Sequence, residues 1–134
     1  NLPVKSKKTA IKERYFDYLI IEDSKQQLYI HKRTGKDIWH NLYEFPLIES
    51  KMALSEQELL AHETYQAMAA SGKLIIHRIS DWQKHLLTHQ KLFARFWHLQ
   101  YEGILPPTGA YELIAKKNLN KFAFPQLINR YLQK

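Results

Sequence analysis

Hydrophobic positions along this chain change period several times, and the changes mark its elements. Residues 14–22, RYFDYLIIE, are dense in aromatic and β-branched types and predict a buried strand. Asp23 and Ser24 supply turn chemistry, and QLYIHKR at 27–33 returns as a second strand, which makes a hairpin. The polar loop Thr34–Asp37 leads into the aromatic cluster IWHNLYEFP, where Pro46 closes a short strand. At 55–70 the period lengthens. Ser55 followed by Glu58 is a capping box, Leu59, Leu60, Glu63, Ala67 and Ala70 continue a helix, and Gly72 stops it. Strand character resumes at 74–80, continues through 84–89, and at 92–101 (LFARFWHLQY) is largely apolar on both faces, as a central strand requires. PPTG at 106–109 is a loop, Tyr111–Lys116 reads as a short helix, and 125–133 as a terminal one opened by Pro125. Irregular alternation with antiparallel hairpins assigns the chain to the α+β class.

Residues 1–13, NLPVKSKKTAIKE, carry four lysines against one acid and read as a basic linker ahead of a single domain at 14–134. A chain of 134 residues can bury a real core. A net charge of +7 favours a polyanionic partner, although a domain that is merely basic fits that number as well. Four glycines and no G-x-x-x-x-G-K-[ST] argue against a glycine-rich phosphate cradle. With zero Cys there is no disulfide, thiolate zinc site or iron–sulfur cluster in this segment. No apolar run approaches membrane-spanning length, so a membrane is not an expected partner, and the cytoplasm is the expected compartment.

Two stretches carry a family resemblance. RYFDYLIIEDSKQQLYIHKRTGKDIWHNLYEFPLIES resembles the opening of a Nudix-like domain: strand, turn, strand ending in Lys-Arg, then Trp followed by Leu-Tyr-Glu-Phe-Pro. HLLTHQKLFARFWHL is similar to the segment of MutY-type adenine-DNA glycosylases that holds their Phe-Ser-His loop, and NLNKFAFPQLINRYL looks like that family's closing helix. The resemblance runs from about residue 14 to the end. It implies a Nudix-like mixed sheet flanked by helices, acting as the C-terminal domain that reads 8-oxoguanine opposite adenine in duplex DNA. It also implies a catalytic domain in the same parent chain, with the glycosylase carboxylates and usually an iron–sulfur cluster. This domain itself would hold no cofactor and would act at the nucleoid. Its partners would be duplex DNA with an 8-oxoguanine:adenine pair and that catalytic domain.

A working Nudix hydrolase is the competing reading. That chemistry needs a helix with Arg-Glu and a Glu pair before a glycine, because clustered carboxylates must hold divalent metals against a pyrophosphate. With Gly72 as that glycine, the Arg falls on Tyr65 and the three Glu fall on Gln66, Ala69 and Ala70. A protein-interaction module using the basic face or the aromatic cluster also stays open.

Lesion reading has a clear physical statement. Guanine shows an acceptor at N7, whereas the oxidised base shows an N7–H donor beside a new carbonyl at C8. A hydroxyl can accept at one and donate to the other. Thr88 matches the family's loop serine, and its methyl stiffens χ1, so the hydroxyl must be held pointing correctly. Leu87 stands where the family has Phe. His89 matches directly and could orient the loop or meet a phosphate when protonated. In local terms Thr88 could equally be an exposed strand residue, and His89 a packing residue. From Lys84 to His98 there are three Lys or Arg and three His but no acid, so Lys84, His85, Lys91 and Arg95 are candidates for phosphate contacts. Each could equally be part of a solvated face. His85 and His89 have the i, i+4 spacing of a zinc pair but lack a third ligand, so no metal is expected. Trp39, Tyr43 and Phe45 are assigned to the core rather than to base stacking.

Overall fold

The computed structural model describes residues 10–134. At its centre β1 (Lys12–Glu22) and β7 (Gln90–Tyr101) run parallel in continuous register, from Lys12 opposite Gln90 to Glu22 opposite Gln100. Strand side chains alternate between faces, so each of these strands supplies two cores. Phe16, Tyr18, Leu92, Ala94 and Phe96 enter one; Leu19, Ile21, Trp97, Leu99 and Tyr101 enter the other. Both faces are covered, which is why the middles of these two segments read largely apolar on both faces.

Six shorter strands complete a mixed eight-stranded sheet: β2 (Gln27–Lys32), β3 (Tyr43–Glu44), β4 (Leu47–Ser50), β5 (Leu74–Ile79), β6 (Gln83–Leu86) and β8 (Glu112–Ala115). The main order is β3-β2-β1-β7-β5, with β4 on β1, β6 on β7 and β8 on β2. Helices α1 (Glu56–Ala61) and α2 (Glu63–Ser71) bury Leu59, Tyr65 and Met68 against the Trp97 face. The opposite face receives α3 (Gln126–Leu132), whose Tyr131 stacks on Phe96 with ring centroids 3.9 Å apart. The α+β mixed sheet flanked by helices is therefore as the sequence predicts.

Several boundaries differ from the sequence expectation. Residues Tyr111–Lys116 are not a helix: Glu112–Ala115 is β8, paired with Leu28 and its neighbours on the edge of β2, and only Lys116–Lys121 turn as a 3-10 helix. The open edge of β2 has hydrogen bonds to offer, and satisfying them outweighs a weak local helix preference. The helix expected at 55–70 is two helices. Ser55 and Glu58 do form both bonds of the capping box, but His62 turns extended and its Nδ1 caps α2 by accepting from Thr64 N at 3.1 Å. The strand expected at 84–89 ends at Leu86. β1 starts at Lys12, inside the segment read as linker, and residues 1–9 of that linker lie outside the described residues.

Candidate nucleic-acid interface

β6 and β7 form a hairpin whose register places Lys84 opposite Phe93, His85 opposite Leu92 and Leu86 opposite Lys91. The chain reverses over Leu87–Gln90, with Leu87 N donating to Gln90 O at 2.8 Å, which leaves Thr88 and His89 at the tip. Three contacts hold that tip. Leu87 packs its side chain against the core cluster around Phe16 and Leu92. His89 O accepts from Lys12 N at 3.1 Å. Gln90 Oε1 accepts from Arg14 Nη1 at 3.0 Å.

Arg14 is itself a fixed point. It is buried, donates twice to Glu49 and twice to Asp37 at 2.7–2.9 Å, and shares Asp37 with Arg33. Hydrogen bonds to Glu49, then to Asp37, hold the Arg14 guanidinium above its ordinary range. The Arg14 bond also pulls the Asp37 carboxyl down to about 2. Charge-assisted bidentate pairs of this kind fix geometry strongly, and here the fixed geometry passes through Gln90 to the hairpin.

On this support Thr88 and His89 are both exposed. Among the described residues, the exposed Thr88 Oγ1 has no hydrogen-bond partner, and a hydroxyl can both accept and donate. Leu87 is half-buried and packs against the core, anchoring the turn. Leu86 is 62% exposed beside the tip.

The four candidate cations do not act alike. Lys84 is exposed and Lys91 half-buried, flanking the tip on β6 and β7. His85 faces the α3 side, where its Nδ1 accepts from Arg130 Nη2 at 2.9 Å; burial, then the Arg130 charge, push its imidazole below the ordinary value. Arg95 leaves the set. Its Nε donates to Asp17 Oδ1 at 2.7 Å, its Nη2 to Leu54 O at 3.0 Å, and its guanidinium lies 4.2 Å from the Trp82 ring centroid. A guanidinium so engaged, 11% exposed, is part of the sheet's support.

Trp39, Tyr43 and Phe45 pack inward. Phe45 is fully buried, Trp39 meets Phe16 edge-on at 5.9 Å, and Tyr43 meets Phe122 at 5.0 Å. A half-exposed group that sequence reasoning missed lies beside Lys91: Tyr15 stacks on Phe93 at 5.0 Å and meets Trp82 edge-on at 5.6 Å. Arg14 and Gln90 were missed too, since their link spans positions far apart in the chain.

Helix α2 bears on the catalytic alternative. Tyr65 is buried in the core, Gln66 turns its amide back to Leu60 O at 2.6 Å, and Ala69 and Ala70 carry no ligand. Gly72 is extended, with φ 172, and a Cβ there would strike the Tyr101 ring, whose hydroxyl donates to Ser71 O at 2.7 Å. That glycine is needed for close approach to β7. Among the described residues no group of three His, Cys, Asp or Glu could hold a metal ion. Among the same residues no helix is long and apolar enough to cross a membrane.

The family model for the NUDIX domain matches residues 17–134. The chain belongs to the NUDIX domain family. Solved structures agree on the fold at low identity. The C-terminal domain of mouse MUTYH, solved in complex with human PCNA, is similar with a TM-score of 0.68 and 15% identity over 90% of this chain and 85% of that one. The MutT protein from Methanosarcina mazei has a TM-score of 0.65 and 13% identity over 94% of both chains. The E. coli ORF135 protein follows at 0.57 and 12%, covering 92% of this chain and 88% of its own. The NUDIX domain thus keeps its sheet here, while positions 66, 69 and 70 of α2 carry Gln66, Ala69 and Ala70 where a pyrophosphate-bound metal would need carboxylates.

Proposed function

We propose that this NUDIX domain is the lesion-recognition domain of a MutY-type adenine-DNA glycosylase, reading 8-oxoguanine opposite adenine in duplex DNA. The observation that carries the reading is the exposed Thr88 hydroxyl at the tip of a hairpin anchored by Leu87, Lys12 and Arg14. A reader of N7–H beside a C8 carbonyl must offer an acceptor and a donor from one small group, held in place beforehand. Lys84 and Lys91 flank the tip and supply sequence-independent attraction to phosphates. A fold shared with the C-terminal domain of mouse MUTYH supports the same assignment. His89, exposed next to Thr88, supports the loop or meets a phosphate.

In this reading the domain contributes affinity, and the glycosidic bond is broken by a catalytic domain of the same parent chain, which is the second partner. A good direct base contact is worth about 1–3 kcal/mol of discrimination. Thr88→Ala should therefore reduce the preference for an 8-oxoguanine:adenine duplex over a guanine:adenine duplex by about 5- to 150-fold at most, measured by equilibrium binding at fixed salt. Affinity for the undamaged duplex should be nearly unchanged. Preference retained in full by Thr88→Ala refutes the assigned role.

A further inference from the structure

Helix α3 and the sheet edge beside it enclose two adjoining cavities, of about 270 and 170 Å³, that share Tyr131 and Lys134 in their walls. Arg78 and His98 also line the first; Lys84 and Arg130 also line the second. No Asp or Glu lines either. The reason lies in composition: α3 (QLINRYL), β5 (LIIHRI) and β6 (QKHL) contain no acid. Among the described residues none of Arg78, Lys84, Arg130 and Lys134 pairs with a carboxylate. The partners they do have are neutral. Arg130 donates to the His85 ring, and Lys134 Nζ donates to Gln83 Oε1 at 2.7 Å, so the positive charge stays uncompensated.

The anchor points of these cations share one face of β7. Arg78 sits opposite His98, and Arg130 bonds the ring of His85, which sits opposite Leu92. That separation along β7 is roughly 20 Å at strand rise, the axial length of about six base-pair steps. β6 then runs from His85 to Thr88 at the hairpin tip, with Lys84 opposite Phe93 on the other face. A concave, acid-free groove with Tyr131 and Leu127 as its apolar floor matches a string of evenly spaced anions better than a single one.

We propose that the groove between α3 and the β5–β6 edge is a phosphodiester track, gripping the backbone of one DNA strand while the hairpin tip meets the bases. This rests on the duplex-DNA reading above and assigns the backbone contacts to residues outside the hairpin. Phosphates held here add affinity for any sequence and carry no lesion information.

The test is the salt dependence of binding to an undamaged duplex by the whole chain. Each phosphate that a variant ceases to neutralise lowers the slope of log affinity against log salt by about 0.9. The triple variant Arg78→Gln, Arg130→Gln, Lys134→Gln should lower that slope by about 2.7, with the ratio of damaged to undamaged affinity unchanged. All three side chains are exposed, and thermal unfolding matched to the unsubstituted chain checks the fold; Arg130→Gln alone, expected to lower the slope by about 0.9, serves if the triple variant unfolds. An unchanged slope in a folded variant overturns the track, even if Thr88→Ala abolishes lesion preference. A lowered slope with lesion preference untouched by Thr88→Ala keeps the track and overturns the lesion-reading hairpin instead.

Discussion

Replacing Arg95 with alanine separates a structural cation from a DNA-binding one. Asp17 is fully buried, and its Oδ1 accepts from Arg95 Nε at 2.7 Å and from Trp97 Nε1 at 2.8 Å. Among the described residues its Oδ2 has no partner. Removing Arg95 leaves a buried carboxylate with one indole donor, and breaking a buried pair in this way costs about 3–5 kcal/mol. The missing packing on Trp82 acts in the same direction. Against a typical domain stability of about 5–15 kcal/mol, this is a large share. In urea, with a slope of about 2 kcal/mol per molar, the midpoint should fall by roughly 2 M. Asp17→Asn in the Arg95→Ala background removes the uncompensated charge and should recover part of the loss. An Arg95→Ala midpoint equal to that of the unsubstituted chain, together with a weaker salt dependence of DNA binding, would falsify this account of Arg95 and return it to the phosphate contacts.

Two further substitutions probe the scaffold. Gly72→Ala should destabilise by about 1–3 kcal/mol, the usual cost of overpacking, because the new Cβ meets the Tyr101 ring; calorimetry showing no loss would mean that the ring moves freely aside. His98→Gln should flatten the pH dependence of stability. Burial first, then Arg78, Lys116 and His77, hold the His98 imidazole below its ordinary value. The unfolded chain therefore takes up this proton first as pH falls. The stabilisation is complete above about pH 6.5 and is lost as pH drops through the lower folded value. Urea midpoints at pH 7 and pH 5 that change equally in both proteins would contradict this.

Much of the scaffold was legible because it is written in local patterns. Segments 14–22 and 92–101 are rich in aromatic and aliphatic residues on both faces, and they became the parallel pair at the centre. Ser55 and Glu58 announced their helix start through a spacing that both bonds then satisfied. The loop at Thr88 came only from the family resemblance, since residues 84–89 read locally as strand. What escaped was decided at long range. Arg95 reads as one cation among several until Asp17, on a neighbouring strand, supplies its partner. Segment 112–115 is short enough to suit helix or strand, and the free edge of β2 decided it. Arg130 and Lys134 look like ordinary helix-surface charges until α3 docks beside β6 and sets them against His85 and Gln83. The hydroxyl could be named from the sequence, but the Arg14–Gln90 link that steadies it could not.

Whether Thr88 senses the oxidised base itself is tested most directly by nuclear magnetic resonance at backbone amides. The isotopically labelled chain is titrated with two duplexes that differ only in guanine or 8-oxoguanine opposite adenine. Thr88 and its neighbours Leu87–Gln90 are expected to shift differently with the two duplexes, while amides near Arg130 and Lys134 shift alike with both. Identical shifts at Thr88 with either duplex, or lesion-dependent shifts confined to another surface, would contradict a hairpin that reads the lesion.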